Sequence, residues 1–357
     1  MPTPLAPRAR ARLLRWFRAE RRALPWRERR DAYRVWISEA MLQQTRVATV
    51  IPYFERFLAR FPDVEALAAA REEDVLAHWS GLGYYRRART LHQAARSIVA
   101  ELGGVFPSTR TGLLELPGIG PYTAGAIASL AFDAPEALVD GNVERVFARL
   151  FALPGALGSS SLKERAWELA RELVPRAKGA GEWNEALMEL GALVCLPREP
   201  RCGLCPWEAD CAARALGRAA EFPAPKARKP GLEVELEALL VERSGRILLH
   251  QRAAHEGRMA LMWELPTREL GSEHLFSAHW PLQAGRVLLR EGEELGRLRH
   301  TITHHRIQVV LRRGELAAQP RGAGWCWATA GDASGLALTG MTRKALRGRC
   351  ASPLSRA

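Results

Sequence analysis

The chain has 357 residues, in which 52 Lys and Arg outnumber 39 Asp and Glu, so the formal net charge is +13. This excess favours a polyanionic partner, because each phosphate that a cation neutralises releases condensed counterions. No apolar run approaches the roughly 20 residues that cross a bilayer, and the Pro- and Arg-rich start lacks the apolar core of a secretory signal. We therefore expect a cytoplasmic protein of two domains that has no membrane partner.

Residues up to about 217 are predicted to form helices. Apolar residues recur every three or four positions, as on one face of a helix, in segments 35–44, 47–60, 86–101 and 161–174. Asp63 can cap a helix that begins at Val64, and Ser161 with Glu164 has the spacing of a capping box. The first part of the chain is therefore predicted to be mainly α.

An acidic residue lies inside the first of these helical segments. Glu39 stands between Ile37 and Met41, and a charge in apolar surroundings is costly unless it is paired or protonated. Burial should raise the pKa of this carboxyl, which makes Glu39 a candidate proton donor.

A Gly-rich turn interrupts the helical pattern at Leu116-Pro-Gly118-Ile-Gly120-Pro121. Glycines at such a turn let backbone N–H groups approach a ligand closely, and the following helix presents its positive N-terminus. This geometry binds a phosphate without reading sequence. The alternative is an ordinary turn between two helices.

Asp140 opens another predicted helix in Asp140-Gly-Asn142-Val143. This placement is that of an N-cap, which a purely structural aspartate would also occupy.

Four of the six cysteines crowd into seventeen residues with the spacing C-x6-C-x2-C-x5-C, namely Cys195, Cys202, Cys205 and Cys211. Four thiolates favour one 4Fe-4S cluster, in which each iron takes one cysteine. A structural zinc usually shows two short Cys-x-x-Cys pairs or paired histidines. Disulfides are the other alternative, but they belong to oxidising compartments.

The composition changes after the helical part. Residues 222–231 are Pro-rich and basic, which predicts a linker. Strand-like runs follow at 235–241, 246–250 and 306–312. We therefore predict a helical region over residues 1–221, a linker over 222–231, and a smaller α+β domain over 232–357.

The ordered motifs resemble those of the helix-hairpin-helix DNA glycosylases with an iron–sulfur cluster, and among them the adenine glycosylases of the MutY family. The matching motifs, besides the Gly-rich turn and the cysteines, are Pro25-Trp-Arg27, Ser38 to Thr45, Gly81-Leu-Gly-Tyr-Tyr85, Val139 to Val143 and Asn184-Glu-Ala-Leu187. Bifunctional relatives carry a sugar-attacking lysine two residues after the last hairpin glycine. Tyr122 stands there and cannot form an imine, so a monofunctional glycosylase is implied.

The resemblance also implies roles for individual residues. Glu39 would protonate adenine at N7, and Asp140 would stabilise the cationic sugar, assisted by Tyr122 and Asn142. The other implied contacts are an adenine pocket formed by Trp26, Arg27, Leu42 and Glu185, duplex-probing side chains at Gln44 and Tyr84, and backbone contacts from Gly118, Gly120, Arg198 and Arg201. Structural alternatives are that Trp26 and Leu42 belong to the core and that Arg27 is a surface charge.

The C-terminal part resembles the Nudix-like domain of the same family, on Arg246 to Arg252 and Trp263-Glu-Leu-Pro266. No complete Arg-Glu-x-x-Glu-Glu helix follows, so nucleotide hydrolysis is not implied; residues 290–294 match it only in part. In the family a Phe-Ser-His loop reads 8-oxoguanine, and Ile302, Thr303 and His304 stand in the corresponding places here.

The predicted function is therefore removal of adenine from A:8-oxoguanine, and also A:G, mispairs in duplex DNA, by a monomer. Two alternatives are a mismatch thymine or uracil glycosylase of the same superfamily and a non-catalytic iron–sulfur DNA-binding protein.

Overall fold

The computed structural model describes residues 5, 7–225, 231–254, 256, 259–270, 282–283, 286–287, 289–302, 305–316 and 324–350. The chain divides into two compact units, Met1–Ala69 with Thr90–Ala227 and Ala70–Arg89 with Arg228–Ala357. A short segment from the helical half, residues 70–89, thus belongs to the second unit. The domain boundaries predicted at residues 221 and 232 stay a prediction. None of the helices in the described ranges is both long and apolar enough to span a bilayer.

The helices in the described ranges are α1 (Pro7–Glu20), α2 (Ala32–Leu42), α3 (Val47–Arg60), α4 (Val64–Ala68), α5 (Glu72–Trp79), α6 (Arg86–Leu102), α7 (Arg110–Leu114), α8 (Pro121–Phe132), α9 (Gly141–Leu150), α10 (Ser160–Leu173), α11 (Ala180–Leu193), α12 (Ala212–Ala215), α13 (Ala330–Ser334) and α14 (Gly340–Cys350). The helices predicted over 35–44, 47–60, 86–101 and 161–174 correspond to α2, α3, α6 and α10.

The two predicted helix caps have different outcomes. The Asp63 side chain accepts a hydrogen bond from the amide of Ala66 at 2.7 Å and caps α4 as expected. The capping box at Ser161 is wrong, because α10 begins at Ser160 and Ser159 is the N-cap residue. Ser161 therefore lies within the first turn, where its side chain cannot serve as the cap.

Helix α8 lies at the centre of the first unit, and it is buried on almost every side from Thr123 to Leu130. It contacts α2 and α11, and α11 also contacts α9. Two glycines permit this close packing, because a Cβ on Gly125 would meet the carbonyl of Ala137, and one on Gly181 would meet that of Ser129. The packing brings side chains from α2, α8, α9 and α11 to one place.

The strands in the described part of the chain are β1 (Leu232–Arg243), β2 (Arg246–Gln251), β3 (Trp263–Glu264), β4 (Thr267–Leu270), β5 (Leu282–Gln283), β6 (Arg286–Val287), β7 (Leu289–Ile302), β8 (His305–Leu316) and β9 (Trp325–Ala328). The main sheet has the order β3-β2-β1-β8-β7, with β4 paired to β1 and β9 to β2. Strands β1 and β8 are parallel, whereas the other pairs are antiparallel. The three predicted strands correspond to β1, β2 and β8.

The partial Nudix match and the start of the predicted linker both lie in described parts of the chain. Residues 290–294, which match the Nudix catalytic helix only in part, lie in strand β7 and form no helix. The start of the predicted linker is held by the first unit, since Arg149 donates to the carbonyl of Phe222 at 2.8 Å and Ala224 donates to that of Gly155 at 2.9 Å. Residues 226–230 lie outside the described ranges.

Candidate active site

A cavity of about 790 Å³ opens among α2, α8, α9 and α11 of the first unit. Nine residues implied by the sequence line it together, namely Trp26, Arg27, Glu39, Leu42, Gln44, Tyr122, Asp140, Asn142 and Glu185. They come from positions up to about 160 residues apart in the chain, so the tertiary packing of these helices creates the site.

Glu39 is buried in α2, with 5% of its surface exposed. Tyr122, in the first turn of α8, donates a hydrogen bond from its hydroxyl to the Glu39 carboxyl. Burial raises the pKa of Glu39 to about 7; the Tyr122 hydroxyl opposes the shift, while the charges of Asp140 and Glu185 add to it. The carboxyl is therefore half protonated near neutral pH, as a proton donor requires.

Asp140 is the N-cap residue of α9, as predicted, but it also lines the cavity. Its Oδ1 accepts from the amides of Asn142 at 2.9 Å and Val143 at 2.7 Å, and its Oδ2 accepts from the Asn142 side chain at 2.7 Å. Arg145 donates to the Asn142 side-chain oxygen at 2.9 Å, which fixes the orientation of that amide. Burial raises the pKa of Asp140, and the three hydrogen bonds oppose this shift.

The two carboxyls differ in how strongly their charged forms are stabilised. Asp140 accepts three hydrogen bonds, two of them from a helix N-terminus, whereas the Glu39 carboxyl accepts one from Tyr122. Two nearby carboxyls share protons unequally, and the better solvated one ionises first. We therefore assign the proton to Glu39 and the negative charge to Asp140.

A network of arginine and glutamate side chains forms another wall of the cavity. Arg27 lies 3.3 Å from Glu185 and 3.0 Å from Glu189, and its side chain is only 13% exposed. Arg22 also donates to Glu189, at 2.7 and 2.9 Å. The arginines lower the pKa of Glu189 to about 2 against the cost of its burial. The alternative that Arg27 is a surface charge is wrong.

Several residues of this wall were not predicted from the sequence. Glu189 and Met188 lie on the same face of α11 as Glu185, three or four residues further along, and Met188 lies 3.5 Å from the Tyr122 hydroxyl. Helical spacing from Glu185 could have found both. Arg30, which donates to Glu185 at 2.9 Å, had no comparable signal in the sequence.

The remaining predicted pocket residues lie at different depths. Trp26 is 7% exposed and packs edge-on against Phe54, with ring centroids 5.4 Å apart, so it belongs to both the core and the cavity wall. Leu42 is half-buried at the end of α2. Gln44 is exposed, with a φ of 60°, in the turn between α2 and α3.

The Gly-rich turn joins α7 to α8, as the sequence predicts. Gly118 has a φ of 73°, and a Cβ there would collide with the side chain of Thr90. Gly120 is the N-cap residue of α8, and Pro121 occupies the first helical position, so glycine and proline both fit their places.

The four clustered cysteines line one small pocket in the first unit, together with Arg149. Arg149 donates to the Cys195 sulfur at 3.3 Å and to the carbonyl of Leu196 at 2.6 Å. Burial raises the pKa of Cys205 to about 12, and the neighbouring thiols add to this shift. Among the described residues, no three His, Cys, Asp or Glu side chains are arranged so that they could hold a metal ion. Arg198 and Arg201 are exposed on the same loop.

The predicted duplex-reading residues of the second unit are only partly described. Tyr84 is 45% exposed, with a φ of 51°. Ile302 is half-buried at the end of β7, whereas Thr303 and His304 lie outside the described residues.

The raised pKa of Glu39 predicts a pH-dependent effect on stability. The native state holds this proton up to about pH 7, whereas an unfolded glutamate releases it near pH 4.3. The stability that Glu39 contributes is therefore fully present below about pH 4.3 and is lost as the pH rises to about 7. Relative to wild type, Glu39→Gln should gain stability over this interval and then level off. Denaturant unfolding of both proteins from pH 4 to 8 measures the difference, and a constant difference would contradict the pKa shift.

Residues 37–172 match the family described as "HhH-GPD superfamily base excision DNA repair protein", and residues 237–348 match the NUDIX domain. Adenine DNA glycosylase of Rattus norvegicus is 36% identical over 95% of this chain and 77% of its own length, and that of Mus musculus is 38% identical over 88% and 73%. A solved thermostable thymine-DNA glycosylase is 30% identical, with a TM-score of 0.52, over 58% of this chain and 95% of its own. The relatives that span most of the chain are thus adenine glycosylases, and the chain belongs to the adenine DNA glycosylase family of base excision repair enzymes.

Proposed function

We propose that the enzyme removes adenine opposite 8-oxoguanine, and opposite guanine, from duplex DNA as a monomer. The observation that supports the chemistry is the pair of unequal carboxyls in one cavity. Breaking a purine N-glycosidic bond requires protonation of the leaving base and stabilisation of the cationic sugar. Glu39 holds the proton for N7 of adenine, and Asp140 holds the negative charge beside the sugar.

The reaction proceeds on an extruded base, because the bond is out of reach inside a stacked duplex. Trp26, Leu42 and Met188 provide the apolar surface for the base, and Glu185 with Arg27 provides hydrogen-bonding groups for its edge. Tyr122 keeps Glu39 in place, and Asn142 does the same for Asp140. Tyr122 has no amine, so the enzyme forms no imine at this position and acts as a monofunctional glycosylase.

Contacts to the DNA backbone come from two regions in this proposal. The turn at Gly118 and Gly120 presents the N-terminus of α8, which attracts a phosphate through its free amides and dipole. Arg198 and Arg201 are exposed on the cysteine loop and add two cations. Such contacts position the enzyme without reading sequence.

We propose that the four cysteines hold one 4Fe-4S cluster. Four partly buried thiols around one pocket match the requirement of one cysteine for each iron. Burial opposes the charged form of Cys205 and Cys211, and iron supplies the positive charge that stabilises thiolates there. Hydrolysis of the N-glycosidic bond transfers no electron, so the role of the cluster is to hold the loop that carries Arg198 and Arg201 in place.

This cluster predicts a metal content. Protein purified without oxygen should contain about four irons and four sulfides per chain. Cys205→Ser should lose most of this iron, whereas Cys326→Ser is a matched control, because Cys326 is a partly buried free cysteine of the second unit. Elemental analysis and visible absorbance make the measurement. Stoichiometric zinc without sulfide in an active enzyme would contradict the cluster.

The second unit is proposed to read the base opposite adenine. Strand β7 ends at Ile302, next to Thr303 and His304, which take the places of the family's serine and histidine. Tyr84 is the proposed wedge on the other side of the pair. Single-turnover excision from A:8-oxoguanine, A:G and T:G duplexes tests the whole proposal. Faster excision of thymine than of adenine would overturn it.

A further inference from the structure

The exposed ring of Tyr84 lies in a turn, residues 80–85, whose backbone conformation is unusual. Gly81 and Gly83 have φ values of 109° and 74°, and Tyr84 itself has a φ of 51°, a region that costs a non-glycine residue energy. A strained backbone conformation persists only when contacts with the surrounding residues hold it. In this turn several hydrogen bonds provide those contacts. Trp79 donates from its indole to the carbonyl of Gly83 at 3.1 Å, and Gly81 donates to the Tyr85 hydroxyl at 3.3 Å.

The same turn is held by a distant segment of the second unit, residues 338–344. Ser80 donates from its hydroxyl to the carbonyl of Leu338 at 3.0 Å, and the Tyr85 hydroxyl lies 3.5 Å from the same carbonyl. Arg343 donates to the Ser80 hydroxyl. Ser80 is 1% exposed and Tyr85 is 8% exposed, so neither side chain is available to touch DNA.

Residues 338–344 are themselves fixed on both sides. Trp263, of the Trp-x-x-Pro motif, accepts from the amide of Thr339 at 2.9 Å and donates to the carbonyl of Ala337 at 2.8 Å. Lys344, the residue after Arg343, donates to the carbonyl of Arg299 at 2.5 Å in strand β7. One short segment therefore holds the Tyr84 turn through Arg343 and the end of the proposed reader strand through Lys344.

We propose that Ser80 and Arg343 are positioning residues for Tyr84, and that residues 338–344 hold this wedge and the reader strand in one fixed arrangement. This inference rests on the proposed function of Tyr84 as a duplex probe. The C-terminal domain then contributes to lesion preference in two ways, through its own reader residues and through the placement of Tyr84. Ser80 acts through the turn, because its side chain is buried.

The test uses the full-length enzyme and Ser80→Ala. It measures the ratio of single-turnover excision rates on A:8-oxoguanine and A:G duplexes, and the fluorescence of 2-aminopurine placed beside 8-oxoguanine, which rises when a wedge unstacks it. Loss of a buried hydrogen bond should lower the rate ratio about fivefold and weaken the fluorescence change. Arg343→Ala, at a half-buried position, removes the other partner of Ser80 and should give the same result.

Two control variants separate positioning from general effects. Thr329→Ala removes a hydroxyl that caps α13 in the same unit, at a comparable cost in stability, and should leave the ratio unchanged. Arg347→Ala removes an exposed cation one turn further along α14 and controls for electrostatic attraction of DNA. If Ser80→Ala and Arg343→Ala match these controls in both measurements, the inference is overturned.

A cycle with Tyr84→Ala tests whether the effect passes through the wedge. Ser80→Ala should change nothing further in a Tyr84→Ala background, whereas an equal additional loss would overturn the positioning role. If Tyr84→Ala alone leaves the ratio and the fluorescence at wild-type values, the proposed wedge is wrong and this inference falls with it. If instead Tyr84→Ala has an effect and Ser80→Ala has none, the wedge stands and only the positioning role of Ser80 is wrong.

Discussion

Asp140→Asn is expected to bind mismatched DNA with nearly wild-type affinity and to excise adenine at least about a thousandfold more slowly, a loss of about 4 kcal/mol of transition-state stabilisation. The substitution removes the negative charge that faces the sugar. It leaves the cap of α9 in place, because asparagine and aspartate cap helices about equally well. Single-turnover excision and equilibrium binding to a duplex with a non-cleavable adenine analogue measure the two effects.

The control for this variant is Asp63→Asn. Asp63 also caps a helix of the first unit through its side chain, but it lies outside the cavity. Asp63→Asn should retain normal excision and normal stability. If Asp140→Asn retains excision as well, Asp140 is an N-cap residue only, and the proposed mechanism loses its anion.

Glu39→Gln is expected to lose excision to a similar extent, because an amide cannot deliver a proton to N7. In the wild type the burial of Glu39 raises its pKa to about 7, so the protonated fraction falls as the pH rises above that value. The excision rate should therefore fall about tenfold per pH unit in the alkaline range. The residual rate of Glu39→Gln should lack this decline. Rates measured from pH 5 to 9 under single-turnover conditions provide the comparison.

Glu264→Gln is the matched control for the pH profile. Burial raises the pKa of Glu264 to about 7 as well, but this carboxyl lies in the second unit and pairs with Arg252. Its substitution should leave the alkaline decline of excision unchanged. Two results together would show that the general acid is a group other than Glu39. Glu264→Gln would lose the alkaline decline of excision, and Glu39→Gln would keep both that decline and wild-type activity.

The sequence was sufficient for features that depend on neighbouring residues. The apolar spacing in segment 47–60 defined α3 at both ends, because a helix that buries one face must repeat at that period. The Gly118 position was also readable, since only glycine tolerates a φ of 73° together with the close approach of the Thr90 side chain. The N-cap of α10 could not be assigned from the sequence, because three adjacent serines at residues 159–161 can each cap a helix and nothing local distinguishes them.

The tertiary structure decided which side chains act together. The apolar setting of Glu39 was visible in the sequence, but its contact with Tyr122 and the unequal hydrogen bonding of Asp140 depend on the packing of α2, α8 and α9. The pairing of Arg27 with Glu189 joins residues 162 positions apart, and the sequence does not encode such a pair locally. Residues 70–89 read as part of the helical region, yet they pack in the second unit, where the Ser80 hydroxyl donates to the Leu338 carbonyl. No local pattern encodes a hydrogen bond between residues 258 positions apart, so only the tertiary structure shows it.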